Sequence, residues 1–167
     1  MHPVASRYAV NEQGPAPRHP DHRVTGGVRG AERQHLDGLF AGDLLFIGGT
    51  PMMWSGTIEN RVAACDRMLA LDPAVVVPGR GPVAGPAGIR QVRDYLTFLD
   101  GYARNSLAAV RSWREAAAEI DLGPCAAWGE PERTVANLYG AYRSLEPATE
   151  EITPLELLTA VAAGGRT

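Results

Sequence analysis

Lysine is absent from this 167-residue chain; all 16 basic side chains are arginine. The arginines do not cluster, so the absence reads as codon bias rather than as a functional pattern. With a net charge of −3 and no basic stripe interleaved with aromatics, the composition speaks against a nucleic-acid surface. Cysteine is scarce as well. Cys65 and Cys125 lie far apart and form no Cys-x-x-Cys pair, so two separate buried thiols are expected instead of a disulfide framework. No apolar run approaches the ~20 residues of a membrane-spanning helix. The opening "MHPVASRYAVNEQGPAPRHPDH" has no apolar core of a signal peptide. These absences lead to the expectation of a cytoplasmic protein with no membrane partner. What remains is ordinary globular material, 45% hydrophobic and 21% charged, enough for one substantial core.

Residues 1–36 are rich in proline, glycine, arginine and histidine and show no sustained periodicity. They are expected to form an irregular, flexible N-terminal segment. Order begins at "GLFAGDLLFIGG", where short apolar runs flank Gly42–Asp43 and suggest two short strands around a turn. In "TIENRVAACDRMLALD", Thr57 can cap a helix whose apolar face carries Ile58, Val62, Cys65 and Leu69. Asp72–Pro73 ends that helix. The β-branched run "AVVV" then reads as a strand buried on both faces. Strand, helix, strand suggests a βαβ-type unit.

Pro86 opens a long helix reaching about Val110, with Ile89, Val92, Leu96, Leu99 and Tyr102 on one stripe and a potential weak point at Gly101. "REAAAEID" forms a short helix. "PERTVANLYGAYRSL" starts another at Pro131, with Val135, Leu138, Tyr142 and Leu145 on one face. "TPLELLTAVAA" carries a capping box, Thr153 with Glu156, and stops at Gly164–Gly165. The expected organisation is an α/β unit over 37–112 followed by a helical C-terminal region over 113–167.

Two segments carry a family resemblance. "GDLLFIGGTPMMWSGTIENRVAACDRMLALDPAVVVPGRGPV" resembles the C-terminal half of metallo-β-lactamase-fold hydrolases, and "IDLGPCAAWGEPERTVANLYGAYRSL" looks like the helical tail of one broad branch of that family. The resemblance covers about residues 36–146. It implies the C-terminal half of an αββα sandwich, with the N-terminal half largely missing. It maps Asp43 to the aspartate that bridges two metal ions, where a shared anionic oxygen offsets the repulsion between the cations. It maps Arg80, in "PGRGP", to the position of a histidine ligand. A neutral imidazole donates a lone pair to zinc, whereas a guanidinium has none and stays charged. One metal site should therefore be lost or weakened, leaving at most one zinc.

The family's HxHxDH motif has its nearest match in "PRHPDH", which keeps His19, Asp21 and His22 and replaces the first histidine by Pro17. Because His22 stands only 21 positions before Asp43, it represents either that motif or the family's later single-histidine ligand. The resemblance thus implies His19, His22 and Asp43 as metal ligands, with Asp21 in a catalytic role. Arg80 either pairs with Asp43 or lies exposed to solvent. Taken without the resemblance, His19 and His22 are solvated loop residues, Asp43 is a turn residue, His35 and Asp66 are surface groups, Asp72 is a helix-end residue, and Trp54, Trp113 and Trp128 are packing anchors.

Two functional classes follow. One is a truncated metal-dependent hydrolase of the metallo-β-lactamase type acting on a small-molecule substrate, with zinc-bound water as nucleophile. The other is a non-catalytic binding or interaction module. A half-sandwich leaves an apolar sheet face uncovered, so that module is expected as a homodimer, or with a partner chain covering the open half.

Overall fold

The computed structural model describes residues 36–53 and 56–164. The expected irregular segment over 1–36 lies outside them except for Leu36, which already belongs to a strand. The described chain is α/β. Strand β1 (Leu36–Phe46) pairs in parallel with β2 (Pro73–Arg80), Leu39 standing opposite Val76 and Phe40 opposite Val77. A parallel pair needs a crossover, and α1 (Ile58–Ala70) supplies it. Its N-cap is Thr57, whose side chain accepts from the Asn60 backbone N–H.

The sheet differs from expectation in two respects. β1 is one strand and not two around a turn. Gly42 adopts φ +53° and the register slips on either side of it, so the chain bulges within the ladder and does not reverse. The "AVVV" segment is buried on one face only. Val76 is fully buried, but Val75 is 42% exposed and Val77 half-buried. Leu39, Ala41 and Val76 face the helical layer, whereas Phe40, 64% exposed, and Val75 face away from it. Two strands with helices on one side cannot enclose both faces.

Helix α2 (Pro86–Ala108) has Pro86 in its first turn and buries Ile89, Val92, Leu96 and Leu99 as the stripe predicts. It passes Gly101 without interruption. It stops two residues short of the expected Val110, which takes φ +57° in solvent. Helix α3 (Trp113–Glu119) opens on a capping box between Ser112 and Glu115. A 3-10 turn, Gly123–Ala127, follows. Pro131 begins a second 3-10 turn, Pro131–Arg133, and α4 proper is Thr134–Leu145. Its buried face carries Leu138 and Tyr142 as expected, but is completed by Ala136, Asn137 and Ala141 in place of Val135. Helix α5 (Pro154–Gly164) is capped by the Thr153–Glu156 box: Glu156 accepts from the Thr153 backbone and hydroxyl, and the Thr153 hydroxyl accepts from the Glu156 N–H.

One core joins these elements, with Leu39 and Val76 from the strands, Cys65 and Met68 from α1, Leu96 and Leu99 from α2, Trp113 from α3 and Leu138 from α4. Burying each large apolar side chain contributes about 1.5–3 kcal/mol. Inside it lies a polar knot. The Asn137 amide donates to the Pro51 carbonyl at 2.7 Å and to the Tyr95 hydroxyl at 3.2 Å, and accepts from the Met53 N–H at 3.0 Å. Tyr95 also meets Thr134 at 3.1 Å. Backbone bonds between Thr50 and Gly129 and between Gly129 and Gly48 hold the same loop from outside. Asn137→Ala leaves several buried groups unsatisfied and should lower the unfolding free energy by about 2–4 kcal/mol, read from urea denaturation. Tyr95→Phe, which keeps the ring, should cost about 1 kcal/mol.

Candidate functional site

The two strands finish together. Gly42 is in register with Pro78 and Phe46 with Arg80, and the Ile47 N–H donates to the Arg80 carbonyl at 2.9 Å. The Gly42–Asp43 bulge and "PGRGP" therefore meet at one end of the sheet. Both glycines of the latter are required by contact. A Cβ on Gly79 would lie 2.5 Å from Asp43 Oδ1 and 2.6 Å from the Gly42 carbonyl carbon. A Cβ on Gly81, at φ +92°, would run into the Ile47 carbonyl oxygen.

Asp43 is exposed, and its carboxylate covers the Gly79 backbone. Its carbonyl accepts from Arg61 Nη1 at 2.9 Å. Arg61 comes from the buried face of α1 and is only 6% exposed. No local motif singles it out. The available signal was its spacing, three residues after Ile58 and four before Cys65, which puts an arginine on the apolar stripe. Arg80 is exposed, with its guanidinium carbon 5.6 Å from the centroid of the Phe46 ring. It forms no ion pair with Asp43. Of the two placements open to Arg80, the solvent-exposed one is found, steadied by a cation–π contact worth about 0.5–1 kcal/mol at such a site.

His19, Asp21, His22 and His35 lie outside the described residues, as does Trp54. Among the described residues, no group of three or more histidine, cysteine, aspartate or glutamate side chains could hold a metal ion. Cys65 sits close to Arg61 on α1, but burial pushes its thiol up to about 11 from the ordinary 9.0, against the lowering effect of Arg61. It is a protonated core group at neutral pH, neither nucleophile nor ligand. Asp66 is a surface charge, accepting from Arg93 Nε at 2.6 Å. Trp113 packs edge-on against Tyr139, and Trp128 lies 5.5 Å from Tyr95 between ring centroids. The site as described is thus a strand end presenting one carboxylate and one guanidinium on a tight glycine scaffold, with a second, buried guanidinium beneath it. No protein-family model and no curated protein matches the chain.

Gly81→Ala combines a positive φ with a backbone collision and should destabilise by about 2 kcal/mol or more, measured as a shift in denaturation midpoint. Stability should also fall in alkali. The unfolded Cys65 thiol ionises near 9.0, while the folded one holds its proton to about 11, so stability present below the first value is lost as pH rises toward the second. Cys65→Ala should flatten that slope. Tyr95 and Tyr142, whose hydroxyls burial also keeps neutral above their ordinary 10.0, and Cys125, raised from 9.0 by burial, add to the decline in the same direction.

Proposed function

We propose that this chain is a metallo-β-lactamase-like protein with an incomplete metal-dependent hydrolase site, and that it serves as an interaction module which pairs its open sheet face with a second copy of itself. The observation that carries this reading is Arg80. At the strand end where the resemblance calls for an imidazole, a guanidinium lies against Phe46 and has no lone pair for a metal. The pairing draws support from the sheet itself. Parallel strands are ordinarily covered on both faces, and here Phe40 and Val75 are exposed on the face away from the helices. A second sheet laid on that face completes the αββα layering. A two-fold axis supplies it from an identical chain; a partner chain of another kind is the alternative source.

The enzyme reading keeps one observation in its favour. Asp43 stands exposed at the strand end, where a carboxylate can bind a cation. In that case His19, His22 and Asp43 hold a single zinc, Asp21 assists catalysis, and the substrate is a small molecule.

Elemental analysis of the purified protein separates the readings. Below about a tenth of an equivalent of zinc the hydrolase reading fails, since a catalytic zinc enzyme holds its metal through about three protein ligands. Stoichiometric zinc that disappears in Asp43→Ala would overturn the interaction-module reading. Arg80→His should raise zinc content if the strand end still faces a metal position. Light scattering at micromolar concentration should give twice the mass of the chain, and Phe40→Asp should return it to one. A parent chain that is monomeric and well behaved removes the homodimer.

A further inference from the structure

We propose that the cleft between α2 and the 3-10 turn Gly123–Ala127 binds a small organic cation with an apolar or aromatic body, such as a quaternary ammonium. The cleft has a volume of about 460 Å³, within the range of small-molecule sites. None of its walls belongs to the strands, so it is separate from the Asp43–Arg80 end. Tyr95 and Phe98 form the α2 side, and Cys125 and Trp128 the other. Two exposed carboxylates, Asp94 and Asp121, also line it, and no arginine is among the described lining residues.

Those walls suit a cation specifically. Aromatic faces carry the negative side of the ring quadrupole and attract ammonium groups. Two carboxylates add attraction for a cation and repel an anion. Arg93 offsets part of the Asp94 charge, its Nη1 standing 3.7 Å from that carboxylate while its Nε is engaged by Asp66 at 2.6 Å, but among the described residues Asp121 has no basic partner. The walls are also set in advance, which lowers the cost of binding. Thr134 and Asn137 hold the Tyr95 hydroxyl, the Tyr95 and Trp128 rings pack on each other, and Asp121 Oδ1 accepts from the Gly123 N–H at 2.8 Å. Cys125 contributes an apolar surface, since burial raises its thiol above the ordinary value and keeps it protonated.

The test uses the full chain with three probes of similar size: benzyltrimethylammonium, neutral benzyl alcohol and anionic benzenesulfonate. Tryptophan emission reports occupancy beside Trp128. The rate of modification of Cys125 by N-ethylmaleimide reports the cleft itself, because Cys65 is fully buried. The cation should bind saturably with a Kd below about 1 mM and slow Cys125 modification. The neutral and anionic probes should bind at least about tenfold more weakly. Asp94→Asn/Asp121→Asn, two exposed changes that keep the acceptor for Gly123, should weaken the cation about tenfold and leave benzyl alcohol unchanged. An unaltered urea midpoint shows that this variant is folded. Equal affinity for all three probes, unchanged cation affinity in the folded double variant, an emission change without protection of Cys125, or no saturable binding would each overturn the proposal.

Discussion

The side-chain amide of Asn137 is the fixed point on which the arrangement of this protein depends. It is buried, and it bonds at once to the loop that leaves β1, through Pro51 and Met53, and to α2, through Tyr95. An amide offers two donors and an acceptor in one plane, and each must be satisfied once water is excluded. The geometry that satisfies all three leaves little latitude in how α4 sits against the strand–helix–strand unit. Backbone bonds from Gly129 to the same loop repeat the constraint a few residues earlier in the chain. The helical C-terminal region is therefore tied to the βαβ unit by directional bonds as well as by apolar packing.

That tie has consequences at both ends of the molecule. It holds α2 and the following 3-10 turn as the two sides of the aromatic cleft, since Tyr95 belongs both to the knot and to the wall. It also anchors the loop that begins where β1 ends, just beyond the Asp43 bulge. At that strand end the electrostatics are unusual for a place that the resemblance associates with metal. Arg61 from below bonds the Asp43 carbonyl and Arg80 at the rim lies on the Phe46 ring, so two guanidinium groups stand at this strand end. A guanidinium can donate to a carbonyl and lie on a ring, but it has no lone pair to offer for coordination chemistry.

Much of the secondary structure was legible in the sequence because its signals are local. Thr57, Pro86 and the Thr153–Glu156 pair marked helix starts through hydrogen bonds and φ preferences that span a single turn. The Ile89–Leu99 stripe marked a buried face through simple periodicity. The errors fell where two distant segments decide the outcome. Gly42–Asp43 has the composition of a reversing turn, yet β2 pairs with the chain on both sides of it, and the glycine becomes a bulge. The "AVVV" run has the composition of a strand covered on both faces, yet among the described residues only one layer of helices packs on it. Arg61 carries no legible role in the sequence, because a charge on an apolar stripe has no meaning until the acceptor, the Asp43 carbonyl, is brought to it.

By itself the sequence determined that this is an α/β chain, that a helix crosses between two strands, and that a glycine-flanked arginine stands at the end of the second strand. Those are consequences of propensity, capping and spacing along one short stretch at a time. Tertiary structure alone decided that Arg80 lies on Phe46 and not against Asp43, that Gly79 and Gly81 are glycines because the Asp43 bulge and the Ile47 carbonyl occupy the space of a side chain, and that Asn137 is the residue that binds the two regions together. Each of those outcomes is a contact between segments far apart in the chain, and the free energy of a contact depends on a distance that no local pattern contains.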